Sequence, residues 1–181
     1  IVLLGHSSGG TIIMKVAEAI SDGFAGQRQR IRRLIFLDAF IVNDGESLND
    51  NAPPHYQALF DKLAEESDDN TTMMPFEIWR EVFLNDADLE LAKFSYAQLS
   101  PEPYQPWIDK LDLKRFYSLS IPKSYIYCTE DNSLPQGEWG WHSRMTSRLG
   151  LFRLVQMPGG HEVMFSNPVG LAEKIIVAGR D

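Results

Sequence analysis

The stretch IVLLGHSSGGTIIMKVAEAIS, residues 1–21, constrains the fold more than any other part of the chain. Ile1–Leu4 is a continuous apolar run ending at Gly5, the pattern of a strand buried on both faces. From Ser8 to Ser21 the spacing becomes helical, with Ile12, Ile13, Val16, Ala17 and Ile20 on one side. Between the two, Gly5-His6-Ser7-Ser8-Gly9 fits G-x-S-x-G. The frame selects Ser7, which has glycine two residues before and two after, whereas Ser8 would need glycine at His6. A strand that turns sharply into a helix forces the turn residue into a strained backbone, and small flanking residues avoid collision there. The turn lifts a serine hydroxyl above the sheet at a helix N-terminus, where the backbone N–H of Ser8 can stabilise an oxyanion. A short glycine pattern alone is weak, but this one lies in the strand–turn–helix context that its mechanics require.

The remaining chain supplies a sheet for that elbow. Arg33–Phe40, Ser124–Cys128 and Leu151–Met157 read as further buried strands, the second entered through Pro122. Helices are expected over Gln136–Leu149 and from Pro168 to about Ala178, the last with proline at its start. Strands alternating with helices imply a parallel α/β sheet in one domain spanning residues 1–181. Residues 43–120 break the alternation: no good strand is visible, while Pro75–Leu84 and Ala87–Leu99 have helical patterns. An insertion of that length far exceeds an ordinary connection of about 2–6 residues and reads as a helical cap over one end of the sheet.

Charge and cysteine content exclude several classes. The net charge of −8 over 181 residues disfavours contact with nucleic acid. The one basic cluster, Arg28, Arg30, Arg32 and Arg33, reads as a solvated loop leading into a strand. No apolar run is long enough to span a bilayer, and no basic-then-apolar leader is visible, so a cytoplasmic placement is the expectation. The single cysteine, Cys128, rules out an internal disulfide and builds no zinc site with its sequence neighbours.

A serine hydroxyl needs a base, and the base an orienting partner. Of the four histidines, His6 lies inside the elbow and is expected to point elsewhere. His55 follows Pro53-Pro54 in the cap, and His142 sits in a stretch of expected helix. His161 follows a strand and the turn MPGG, on the edge where α/β folds build their sites. For the acid, Asp131 stands just beyond the strand ending at Cys128. Asp38, at the end of the second strand, and Glu130 are the rivals. The order Ser7, Asp131, His161 is the one this elbow implies.

These residues carry a resemblance. GHSSGG, LDAF followed by DGESL, YCTEDNSLP and GGHEVMFSNP make the chain similar to the C-terminal two-thirds of an α/β-hydrolase, in the branch of plant methylesterases, hydroxynitrile lyases and bacterial relatives. The resemblance implies a mostly parallel sheet with flanking helices and a helical cap, here lacking the first strands. It implies Ser7 as nucleophile, Asp131 as acid and His161 as base, with no cofactor or metal and a small ester as substrate. It also implies that the second oxyanion donor comes from a loop upstream of Ile1, so the sequence is expected to be a fragment. Hydroxynitrile lyases of the branch carry lysine directly after the base, where this chain has Glu162, so cyanohydrin cleavage is disfavoured. Trp79, Phe83 and Phe94, with Phe76, Val82 and Tyr96, are candidates for lining a substrate pocket or for packing the cap onto the sheet. A receptor or scaffold on the same fold is the non-enzymatic alternative.

Overall fold

The computed structural model describes residues 1–21 and 31–180. Arg28 and Arg30 of the basic cluster lie outside the described residues. The sheet has four parallel strands, β1 (Val2–Ser7), β2 (Arg33–Ala39), β5 (Lys123–Cys128) and β6 (Arg153–Met157), in the order β1-β2-β5-β6. Helix α1 (Gly9–Ser21) connects β1 to β2.

Alternation along β2 explains both layers. Leu34 and Phe36 join a core with Ile13, Met14 and Ala17 of α1, whereas Ile35 and Leu37 join one with Ile126, Val155, Leu171 and Ala178. All seven residues of β2 are buried, and each large apolar side chain among them contributes about 1.5–3 kcal/mol. Ile12, expected on the buried side of α1, is 62% exposed. Arg33, expected to be solvated, is buried, with its guanidinium donating to Ser124 Oγ at 3.2 Å.

Between β2 and β5 lie α2 (Pro54–Glu65), α3 (Phe76–Ile78), α4 (Leu89–Tyr96) and α5 (Gln105–Ile108). Two short strands, β3 (Thr71–Thr72) and β4 (Glu102–Pro103), pair antiparallel here, where the sequence had offered no strand. The helix expected over Pro75–Leu84 forms as α3 continued by a π turn over Trp79–Phe83, with Leu84 N–H donating to Trp79 O at 2.8 Å.

The helix expected over Gln136–Leu149 does not form. Gly137 has φ +86°, a conformation that ends a helix rather than continuing it. Only a single 3₁₀ turn, Thr146–Leu149, closes the segment. After β6, α6 (Val163–Ser166) and α7 (Pro168–Gly179) finish the chain. Asn167 caps α7, its side chain accepting from Gly170 N–H at 3.0 Å. No helix of the described residues is long and apolar enough to cross a membrane.

Candidate active site

Ser7 ends β1 with φ 52°, a left-handed backbone that a residue with a side chain adopts only under constraint. The constraint is visible at Gly5, where a Cβ would lie 2.4 Å from Gly9 O, and at Gly10, where it would lie 2.4 Å from Phe40 O. Gly9, expected to be small for the same reason, has open space around it among the described residues. The strand therefore reaches α1 through one close approach before the serine and a second at the start of the helix. Phe40 N–H donates to Ser7 O at 3.0 Å, tying the elbow to the end of β2. Ser8 stands immediately before α1, and its carbonyl accepts from Thr11 Oγ1 at 2.8 Å.

His161 and Asp131 meet. His161 Nδ1 lies 2.6 Å from Asp131 Oδ2, and both side chains are buried. Asp131 Oδ1 accepts from Ser133 N–H at 2.7 Å and from Ser133 Oγ at 2.6 Å. Trp141 Nε1 donates to that same Oγ at 3.0 Å, and its ring stacks on the imidazole at 5.3 Å. Sequence reasoning missed Ser133 and Trp141. The signal for Ser133 was available, since an aspartate commonly bonds the backbone two residues on; Trp141 left none. Burial pushes the Asp131 carboxyl up, but the imidazole and the two Ser133 bonds outweigh it and hold the group below its usual range. Burial works against a charged His161, and Asp131 more than offsets it, so the imidazole is held above its ordinary value.

The loops carrying these groups are held from across the molecule. Gly160 N–H donates to Asp86 Oδ2 at 2.9 Å, Ser166 Oγ donates to the same oxygen at 2.6 Å, and Asn85 Nδ2 donates to Glu130 O at 3.0 Å. The π turn brings Phe83 to 5.4 Å from the imidazole, and Phe83 O accepts from Glu162 N–H at 3.1 Å.

The other histidines separate cleanly. His6, expected to point elsewhere, does not line the cavity but packs against His161, with Nε2 at 3.0 Å from His161 O and ring centroids 4.5 Å apart. Burial, then the neighbouring His161, lowers it to about 3, so it is neutral. His55 is exposed, and His142 Nδ1 lies 2.9 Å from Thr146 Oγ1.

Ser7, Ser8 and His161 line one cavity of about 260 Å³, which Tyr56, Phe60, Phe83, Trp107 and Trp141 also line. His161 Nε2 has no hydrogen-bond partner among the described residues. An imidazole tied at Nδ1 and unpartnered at Nε2 is arranged to take a proton at Nε2. Of the pocket candidates, Phe83 lines the cavity and Trp79 and Phe94 do not. Trp79 is buried against Phe83 with Nε1 bonded to Ser95 Oγ at 3.0 Å, and Phe94 is 61% exposed. Phe76 and Tyr96 pack on each other instead. Among the described residues, two side-chain groups are close enough to hold a cation, Asp38 with Asp131 and His161, and His6 with His161 and Glu162. Both depend on His161, whose Nδ1 already serves Asp131.

Residues 1–174 match the alpha/beta hydrolase family. An extracellular alpha/beta-hydrolase from a Paenibacillus species, described as structurally and functionally homologous to tobacco salicylic acid binding protein 2, is 43% identical and superposes with a TM-score of 0.93. That match covers 100% of this chain and 72% of the other. A carbendazim-hydrolysing esterase from Nocardioides is 28% identical, covering 99% of this chain and 71% of that one. A methylesterase from Arabidopsis is 22% identical with a TM-score of 0.64, covering 98% of this chain and 68% of its own, a likeness of fold. The chain spans between 65% and 71% of the length of the curated relatives it matches.

Proposed function

Because this chain belongs to the alpha/beta hydrolase family, we propose that the protein is a serine hydrolase that cleaves a small carboxylic ester through an acyl-enzyme. The observation that carries the reading is the imidazole, held by Asp131 at 2.6 Å with Nε2 unpartnered, on a cavity that Ser7 also lines. Ser7 Oγ attacks the ester carbonyl while His161 takes its proton; the Ser8 N–H stabilises the oxyanion; His161 then protonates the leaving alcohol. Water, deprotonated by the same imidazole, repeats the sequence on the acyl-enzyme. The reaction as proposed needs no cofactor or metal.

Apolar and aromatic walls favour an uncharged acyl or alcohol group, and Glu102, the one carboxylate lining the cavity among the described residues, disfavours an anionic one. In this reading residues 43–120 act as the cap that supplies Tyr56, Phe60, Phe83 and Trp107 to the pocket. The esterase name of the Nocardioides relative supports ester chemistry. A second reading, a small-molecule receptor with slow turnover, draws on the description of the Paenibacillus protein as homologous to a salicylic acid binding protein. A cytoplasmic site of action is part of the proposal, and fractionation of the producing cells decides it, since the Paenibacillus protein is described as extracellular.

The test is intact-mass measurement of the natural protein after exposure to a fluorophosphonate, beside Ser7→Ala. One adduct that disappears in the variant, together with multiple turnovers of a chromogenic ester, supports the hydrolase. Ligand binding with neither adduct nor turnover moves the receptor reading to the front.

A further inference from the structure

Asp38 occupies the point where β2 loses register with β1. His6 pairs with Leu37 and Ser7 with Ala39, so Asp38 is skipped between them, and its φ is 29°. A residue passed over in this way has its side chain re-aimed, and a backbone so placed is tolerated only where the surroundings fix it. The side chain is completely buried. Oδ2 accepts from Cys128 N–H at 2.9 Å, while Oδ1 has no donor among the described residues.

What faces that carboxyl is the acid–base pair itself. One ligand atom each from Asp38, Asp131 and His161 lies within 4.8 Å of the other two. Two carboxyl groups this close and this dry do not both ionise, so the pair holds a proton. The environment says which member carries it. Asp131 has His161 and two Ser133 bonds to stabilise its charge, whereas Asp38 has one backbone N–H. Burial, and then the charge of Asp131, push Asp38 well above the usual carboxylate range. The other titratable groups near it are the thiol of Cys128 and the phenols of Tyr125 and Tyr127. Burial raises all three, so none brings a charge.

We propose that Asp38 is a positioning residue that forms one acid unit with Asp131: protonated, it donates to the Asp131 carboxylate and fixes it against His161, and it can take over as the carboxylate partner of the imidazole when Asp131 is removed. The proposal rests on the reading of Ser7, Asp131 and His161 as a triad. The exchange needs no co-reactant. With Asp131 neutralised, the Asp38 proton leaves to solvent and the remaining charge faces Nδ1–H.

The test compares Asp38→Asn, Asp131→Asn and the double variant, using turnover of a chromogenic ester across pH. Asp38→Asn keeps an acceptor for Cys128 N–H and a donor for Asp131, and is expected to stay within about 10-fold of the parent protein. Asp131→Asn should lose about 10²-fold and regain activity with rising pH as Asp38 ionises. The double variant should fall about 10⁴-fold, the loss typical of a triad without its acid. A double variant no slower than Asp131→Asn, or an Asp131→Asn pH profile identical to that of the parent protein, overturns the role of Asp38. Retained activity in Ser7→Ala overturns the triad reading and this proposal with it. Thermal midpoints confirm that each variant is folded. Should Asp38→Asn not fold, Asp38→Ser with and without Asp131→Asn makes the same comparison, because it too removes the second acid.

Discussion

On the His161 side of the cavity, the imidazole is bonded to Asp131, Asp131 to Ser133, and Ser133 to Trp141, whose ring stacks back on the imidazole. On the Ser7 side, β1 pairs with β2 alone among the described residues, and Ile1, Val2, Leu4 and Ile12 are exposed. The His161 imidazole is placed by a closed ring of side chains. The serine is placed by backbone: a positive φ, and two glycines that let chain segments approach more closely than a Cβ permits. Changes of side chain should therefore act mostly on one half of the site, and changes at Cβ on the other.

The largest effect belongs to the side-chain half. His161→Ala removes the group that joins the two halves, and kcat on a chromogenic ester should fall about 10⁶-fold, comparable to loss of the serine itself. Labelling of Ser7 by a fluorophosphonate should slow in parallel, since the hydroxyl without a base is a poor nucleophile. A loss below about tenfold would show that His161 does not serve Ser7 and would undo the comparison.

A second, smaller effect sharpens it through pH. A general base acts neutral, and the His161 imidazole is held above its ordinary 6.5, burial opposing the charge and Asp131 and Glu162 favouring it. Activity is therefore lost as pH falls through that raised value, about tenfold per unit. The sign for stability is the reverse. A group whose folded pKa is raised contributes stability that is present at low pH and is lost as pH rises through the folded value. Glu162→Gln removes one of the favouring charges, so the acid limb of kcat/KM should move to lower pH. An unmoved limb would mean that the Glu162 carboxylate does not reach the imidazole electrostatically.

The same division marks what the sequence made legible. Strand and helix periods, the glycine frame around Ser7, and the loops after β5 and β6 follow from local patterns, and the structure brings His161 to Asp131 as those patterns imply. Asp38 and Asp131 stood as rivals because one lies at a strand end and the other just beyond one, and sequence offers no means of seeing that β2 skips Asp38 or that both carboxyls come within 4.8 Å of one imidazole nitrogen. Trp141 sits in a stretch whose composition suits a helix, yet Gly137 adopts a positive φ and the segment folds as turns that slide the indole under His161. Helical spacing left Trp79, Phe83 and Phe94 as candidates either for lining a pocket or for packing the cap. The π turn lengthens the hydrogen-bonded step and sends Phe83 to the cavity while Trp79 packs with Leu84 and Ala92. Tertiary contacts decide such details, and they carry no period.

The smallest effect tests the backbone half at a resolution of one methyl group. A Cβ on Gly10 would lie 2.4 Å from Phe40 O and 2.9 Å from Ala39 Cβ, at the end of β2 and the residue after it. Neither is the flexible end of a side chain, so α1 must shift away from β2. Overpacking of this kind costs about 1–3 kcal/mol. Gly10→Ala should lower the thermal midpoint accordingly and, because Phe40 N–H also holds Ser7 O, slow fluorophosphonate labelling. Gly9→Ala puts the same methyl group one residue earlier, where nothing lies within 4 Å among the described residues, and should stay within about 0.5 kcal/mol of the parent protein. The two variants differ by a single position and share a composition, so any difference between them measures the close approach alone. Equal midpoints and equal labelling rates would mean that the elbow yields to a methyl group, and that Ser7 is held by something other than the packing of α1 against the end of β2.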